Sequence, residues 1–225
     1  MNIDIKKNGP YVVRGGIPIS EAIITPVRHQ YEYVDGEDIT PANSEEYYLC
    51  RCGHSKNAPF CDGAHAKSGF DGTETASTVP YRERLTDVVE GTTMELQDDG
   101  RCAFARFCHR DAGDVWTLTR QDADEFCREE ALIAASECPA GRLVAVSKDD
   151  GQDLEEEFSP EVVVLQDPQK DVSAGLAVRG PVQLVSADGE EYEVRNRVAL
   201  CRCGQSSNKP YCDASHVSAG YTDGR

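Results

Sequence analysis

The sequence predicts an α+β protein in which two copies of a small β-rich, cysteine-bearing module flank a middle segment of different character. Three observations carry this. The segment LCRCGHSKNAPFCDGAH (Leu49 to His65) recurs as LCRCGQSSNKPYCDASH (Leu200 to His216), with every ligand-type residue displaced by 151 positions. Ahead of each copy lie short stretches rich in Val, Ile and Tyr and broken by Gly and Pro, YVVRGGIPI and LAVRGPVQLV. Between the copies stands one long helical pattern that neither copy contains.

Taken in order, the first module (residues 1–80) holds strand-like segments around Val13-Arg14-Gly15, and EYYLC reads as a strand running directly into the cysteine loop. The matching Val178-Arg179-Gly180 lies nearer its cysteines, so the first copy has 14 more residues, read as an inserted loop within Ser20–Glu46. In the middle module (residues 81–157), Met94–Gln97 reads as a strand and Asp98-Asp99-Gly100 as a turn. Asp122 to Glu137 reads as a helix, with Asp122 or Asp124 as its cap and Pro139 beyond its end. Leu143–Ser147 reads as a returning strand, and the acidic Asp149–Glu157 as a loop or linker. The last module (residues 158–225) starts with a strand at Val162–Leu165, and NRVALC repeats the strand-into-loop pattern.

Composition bounds the function. With 40 acidic against 23 basic residues the formal net charge is −17, which argues against nucleic-acid backbones and anionic membrane surfaces as partners. Such a charge suits docking to a basic face of another protein, or simply keeps the chain dispersed. The N-terminus, MNIDIKKNGP, has no apolar run after its lysines, and no stretch approaches a spanning helix. A cytoplasmic location with reduced thiols is therefore the expectation, and ten cysteines then read as metal ligands before disulfides. No G-x-S-x-G, Walker-type or G-x-G-x-x-G motif appears, so the chain reads as a carrier or binding protein and not as an enzyme.

The spacing C-x-C-x8-C-x3-H has a geometric reading. Residues two apart in a strand share a face, so Cys50 and Cys52 present both sulfurs to one metal. The Gly, Ser, Asn and Pro of GHSKNAPF let the chain turn back. Asp62 reads as an N-cap for a short helical turn that brings Cys61 and His65, four apart, to a second metal. Cys201, Cys203, Cys212, Asp213 and His216 repeat the pattern. Three cysteines and a histidine also suit one tetrahedral zinc, so spacing alone leaves zinc and a two-iron cluster both open.

The surrounding residues resemble the CDGSH iron–sulfur (NEET) family, whose signature is C-x-C-x2-(S/T)-x3-P-x-C-D-G-(S/A/T)-H. The first copy matches at Cys50, Cys52, Ser55, Pro59, Cys61, Asp62, Gly63, Ala64 and His65. The second matches at Cys201, Cys203, Ser206, Pro210, Cys212, Asp213, Ser215 and His216, and departs at Ala214, where Gly is usual. An alanine fits there if its φ is negative. The resemblance implies two 2Fe-2S clusters, each on three cysteines and one histidine, and two domains pairing within one chain into a shared β-cap. Histidine adds no charge, which raises the reduction potential, and can be protonated, which implies acid-labile clusters.

In the middle module, GRCAFARFC and ECPAGRL resemble a divergent single-cluster ferredoxin, in which C-x2-C-x2-C and a distant Cys-Pro supply four ligands. Here Cys102, Cys108 and Cys138 remain, while Ala105 stands at the second cysteine position. Three thiolates suit a 3Fe-4S cluster, or a 4Fe-4S cluster with another fourth ligand; loss of the cluster is the alternative. Cys127, on the same helix as Cys138 and roughly 16 Å from it, is too far to share a cubane and reads as packing. His54, matched by Gln205, and His29, His109 and Trp116 are set aside as surface or core residues. The chain thus reads as an electron-transfer protein, with cluster or iron transfer, storage or redox sensing as the second reading, and a zinc-stabilised adaptor as the third. Its partner would be a redox protein or a cluster acceptor.

Overall fold

Apolar and polar residues alternate through the short strands, and the alternation decides which face of each is buried. In Asn2–Ile5 the two isoleucines are buried and the two polar residues are partly exposed; in Glu46–Leu49, Tyr47 and Leu49 point in. The computed structural model describes residues 1–224. Its first part contains β1 (Asn2–Ile5), β2 (Tyr11–Arg14), β3 (Ile19–Val27), β4 (Gln30–Asp38), β5 (Glu46–Leu49) and α1 (His65–Ser68). The middle contains β6 (Asp87–Glu90), β7 (Met94–Asp98), β8 (His109–Arg110), β9 (Gly113–Asp114), α2 (Val115–Arg120), α3 (Glu125–Ser136) and β10 (Leu143–Ser147). Then follow β11 (Glu161–Asp167), β12 (Val172–Arg179), β13 (Gln183–Val185), β14 (Arg197–Leu200) and α4 (Ser215–Ser218).

The two repeats share both of their sheets. One sheet runs β13-β1-β2-β5 and the other β14-β12-β11-β3-β4. By their pairing β1, β2, β3 and β5 correspond to β11, β12, β13 and β14. Each copy therefore lends its third strand to the other's sheet, parallel to the other's first strand. Ile3 lies opposite Leu184, and Val162 lies opposite Ile19. One core joins the sheets: Ile3, Ile5, Tyr11, Val13 and Leu49 pack with Val162, Val164, Leu176, Leu184 and Leu200. This is the expected α+β class, with the two repeats forming one shared β-cap around an inserted module.

The middle module is a three-stranded antiparallel sheet, β10-β7-β6, covered by α2 and α3 around Met94, Leu96, Leu118, Ala131 and Leu143. Asp124 caps α3 by accepting the Cys127 N–H at 3.1 Å. Asp122, the other candidate, lies outside the helix, and its carboxylate accepts the N–H groups of Thr92, Thr93 and Met94. One further expectation is corrected. The 14 extra residues of the first copy do not form a loop: they lengthen β3 and add β4, which turn at Arg28-His29 and widen the second sheet. The acidic Asp149–Glu157 is a loop, tied down where Leu154 N–H bonds Ala145 O and Glu155 pairs with Arg197. Among the described residues no helix is long and apolar enough to cross a membrane.

Candidate metal centres

Each cysteine loop is closed by backbone hydrogen bonds at the same places. Cys50 N–H donates to Pro59 O and Cys61 N–H to Tyr48 O; Cys201 N–H donates to Pro210 O and Cys212 N–H to Ala199 O. The first two cysteines thus leave the end of a strand while the third returns beside it. Ser55 and Ser206 fix the return, their hydroxyls donating to Phe60 O at 2.6 Å and Tyr211 O at 2.7 Å.

Asp62 and Asp213 clasp the loop and are not helix caps. Asp62 accepts from Lys56 N–H and Ala64 N–H; Asp213 accepts from Ser207 N–H and Ser215 N–H. The short helices begin two to three residues later, with Ala64 and Ala214 at their N-caps and no side-chain cap on either. The donors arrive in pairs. The sulfurs of Cys50 and Cys52 lie 3.7 Å apart, and Cys61 Sγ lies 3.5 Å from His65 Nδ1. The second copy gives 3.6 Å for Cys201–Cys203 and 3.5 Å for Cys212–His216. Among the described residues no three His, Cys, Asp or Glu side chains converge on one point.

The two sites touch through their backbones. A Cβ on Gly53 would sit 2.5 Å from Cys203 O, and one on Gly204 would sit 2.7 Å from Cys52 O, with φ of +75° and +77°. Tyr11 of the first copy reaches across as well, its hydroxyl donating to Cys201 O and Pro210 O. Ala214 departs from the expectation of a negative φ: it adopts +70°, close to the +85° of its counterpart Gly63. The backbone shape of the motif is kept and the alanine is strained into it.

The repeats differ in exposure. Cys61 and His65 are half-buried, whereas Cys212 is 4% and His216 2% exposed. Desolvation lowers His216 to about 4 and so keeps its imidazole neutral, the form that can bind a metal. Burial pushes the Cys212 thiol up to about 12, and a metal that took it as thiolate would displace that proton. Cys201 and Cys203 are in hydrogen-bond contact, which lowers the first thiol and, together with burial, raises the second.

In the middle module Cys102 and Cys138 both lie within electrostatic reach of Cys108. Burial first, then Cys138 and Cys102, push Cys108 up to about 12. Ala105, at the missing-cysteine position, packs on the second sheet against Val163, Leu165, Ala174 and Ala177. Cys127 is partly buried against the module's core. Cys102 and Cys212 line one cavity of about 520 Å³, so the middle cysteines border the second repeat. Sequence reasoning missed the cations beside these sulfurs. Arg142 clamps Asp98 at 2.6 Å next to Cys102, and the buried Arg197 donates to Cys138 O at 2.6 Å.

Comparison with known families gives the same arrangement. The iron-binding zinc finger CDGSH type matches residues 8–66 and 174–217, and the divergent 4Fe-4S mono-cluster matches residues 90–148. No curated protein and no solved structure matches the chain. The chain is an iron–sulfur binding protein that carries two segments of the CDGSH iron-binding family on either side of a divergent 4Fe-4S mono-cluster domain.

Proposed function

We propose that the chain is an electron-transfer protein with two 2Fe-2S centres, one held by Cys50, Cys52, Cys61 and His65, the other by Cys201, Cys203, Cys212 and His216. The pairing of donors carries this reading. Each pair, 3.5 to 3.7 Å apart, spans about the edge of one tetrahedral metal, and each site offers two such pairs and no converging quartet. Two irons per site, one on each pair, fit that division. When bound, such a centre supplies one-electron chemistry. The residues do the rest. The neutral imidazoles leave each site one negative charge short of an all-thiolate set, which raises its potential. The buried Cys50, Cys52, Cys201 and Cys203 keep water from the strand-side sulfurs.

A third centre, of 3Fe-4S or 4Fe-4S type, would be held by Cys102, Cys108 and Cys138. The twofold cysteine–histidine motif favours a carrier over an enzyme, and the net charge of −17 favours a partner with a basic docking face. EPR with iron and sulfide counts on anaerobically purified protein tests the reading. About four irons correspond to the two repeats alone, seven or eight to a third centre, and a colourless zinc protein would end it. The half-exposure of Cys61 and His65 favours a second reading, cluster donation from the first site, which incubation with an apo-ferredoxin tests.

A further inference from the structure

Helix α3 turns Ala131, Ala134 and Ala135 into the core of the middle module and leaves its opposite side bare. At about 3.6 residues per turn, Phe126, Glu130, Ile133 and Glu137 fall on that outer side, with Glu129 at its edge. Phe126 is 61% and Ile133 39% exposed, two turns or about 10 Å apart along the axis. The arginine of the helix, Arg128, lies off this side by the same period.

Beside Ile133 opens a groove of about 510 Å³ where the three modules meet. Tyr33 comes from β4, Leu132 and Pro139 from the middle module, and Phe158 and Arg179 from the last. Single apolar residues on a surface are ordinary, but here the helix face and the groove run together through Ile133. The charges around them are lopsided. Arg179 is matched by Glu161 at 3.7 Å and Arg197 by Glu155, while Arg110 serves both Glu130 and Glu137, at 3.0 and 3.2 Å. Glu129 on the helix and Glu156 at the groove stand exposed as well. An apolar centre is thus set in an acidic surround.

We propose that the outer side of α3 and the groove beside it form the docking surface for a partner protein whose own face carries an apolar centre ringed by lysine or arginine. Charge complementarity selects the basic partner. A small molecule seated in the groove would leave Phe126 uncovered, whereas a protein face covers both. Pro139, which lines the groove, directly follows Cys138, so a docked partner lies beside the cysteines of the middle module. This rests on the carrier reading above and names where the partner binds.

The probe is cytochrome c, a small basic redox protein, titrated into the full holoprotein by calorimetry and mapped by hydrogen exchange. Protection is expected over residues 125–137 and 154–158, with affinity falling as salt rises. Phe126→Ser with Ile133→Ser should weaken binding about 10-fold and keep the salt dependence. Glu129→Lys with Glu156→Lys should weaken it about 10-fold and flatten the salt dependence. Glu45→Lys with Asp188→Lys makes the same charge change at exposed turns beside the first sheet and should cost less than about 2-fold, because salt screens distant charges. All six positions are exposed, so melting temperatures near wild type are expected.

No binding, protection elsewhere, or equal losses from the two charge-reversed pairs would overturn the proposal. So would protection of this face without cytochrome c as protein concentration rises, which assigns it to a second copy, or a small molecule found bound in the groove. Docking here without electron uptake by cytochrome c defeats the electron-transfer reading and leaves the surface standing. Electron uptake without this footprint defeats the surface alone.

Discussion

Gly53 and Cys203 meet backbone to backbone: a single added carbon on Gly53 would lie 2.5 Å from the Cys203 carbonyl oxygen, inside any tolerable contact. Gly204 and Cys52 repeat the relation at 2.7 Å. Because the obstacle is backbone and both residues have positive φ, neither site can relax by turning a side chain. Gly53→Ala and Gly204→Ala are each expected to cost about 2–4 kcal/mol and to perturb both centres at once. Urea melts, with EPR of each variant, check this; an effect confined to one centre would show that the loops are not coupled.

Ala214 gives the opposite prediction. It holds +70° where its counterpart is glycine, so Ala214→Gly relieves strain of about 1–2 kcal/mol, partly offset by greater freedom in the unfolded chain. A net gain of about 0.5–1 kcal/mol is expected in denaturant unfolding. Gly63→Ala, with open space around its missing Cβ, should lose a similar amount through φ alone.

Much of this was legible in the residues. The cysteine loops, the strands feeding them and Leu143–Ser147 follow from local pattern, because alternation and turn chemistry act over a few residues. Strand exchange was not legible, since Ile19 opposite Val162 is a pairing between distant segments that nothing near either residue announces. Ala214 misled for a related reason: the letter suggested negative φ, but the motif's fixed hydrogen bonds impose the backbone. Arg106 escaped notice because its bidentate partner, Asp167, belongs to another module.

The buried arginines next to the cysteine pairs predict unequal costs. Arg51 is satisfied by the carbonyls of Lys6, Gly9 and Gly72. Arg202 bonds Ala174 O and Leu165 O and also pairs with the carboxylate of Asp223, the side chains being 1% and 0% exposed. Asp223→Asn leaves a buried guanidinium without its counter-charge and should cost about 3–5 kcal/mol. A melting temperature within a degree of wild type would show that the C-terminal segment is dispensable.

Asp122 makes the middle module acid-sensitive. Burial alone would raise its carboxyl, but hydrogen bonds from Thr92, Thr93 and Met94 N–H outweigh this and lower it. A depressed folded pKa stabilises above the unfolded value of about 3.9, and the contribution disappears as pH falls through and below it. Asp122→Asn should therefore lower stability by about 1–3 kcal/mol at neutral pH and flatten its decline in acid. Tryptophan fluorescence of Trp116, packed against that core, reports the transition.

Exposure predicts the order in which the clusters are lost. In acid, where protons compete for an imidazole ligand, the partly exposed His65 should give way before the buried His216. His65→Cys is expected to slow the first phase of bleaching, followed by visible absorbance, and to leave the second in place. Equal bleaching of wild type and variant would remove histidine from that role.

The exchanged strands also govern how the chain can be made. Until a ribosome has delivered Val162, Ile19 has no neighbour on that side, and β1 waits still longer for Gln183. The first repeat is therefore synthesised with two unsatisfied edges that must be kept from other nascent chains, a hazard of non-local pairing. The middle module, complete in its own three strands, can fold during the wait and bring the late-arriving half to a partner already in place.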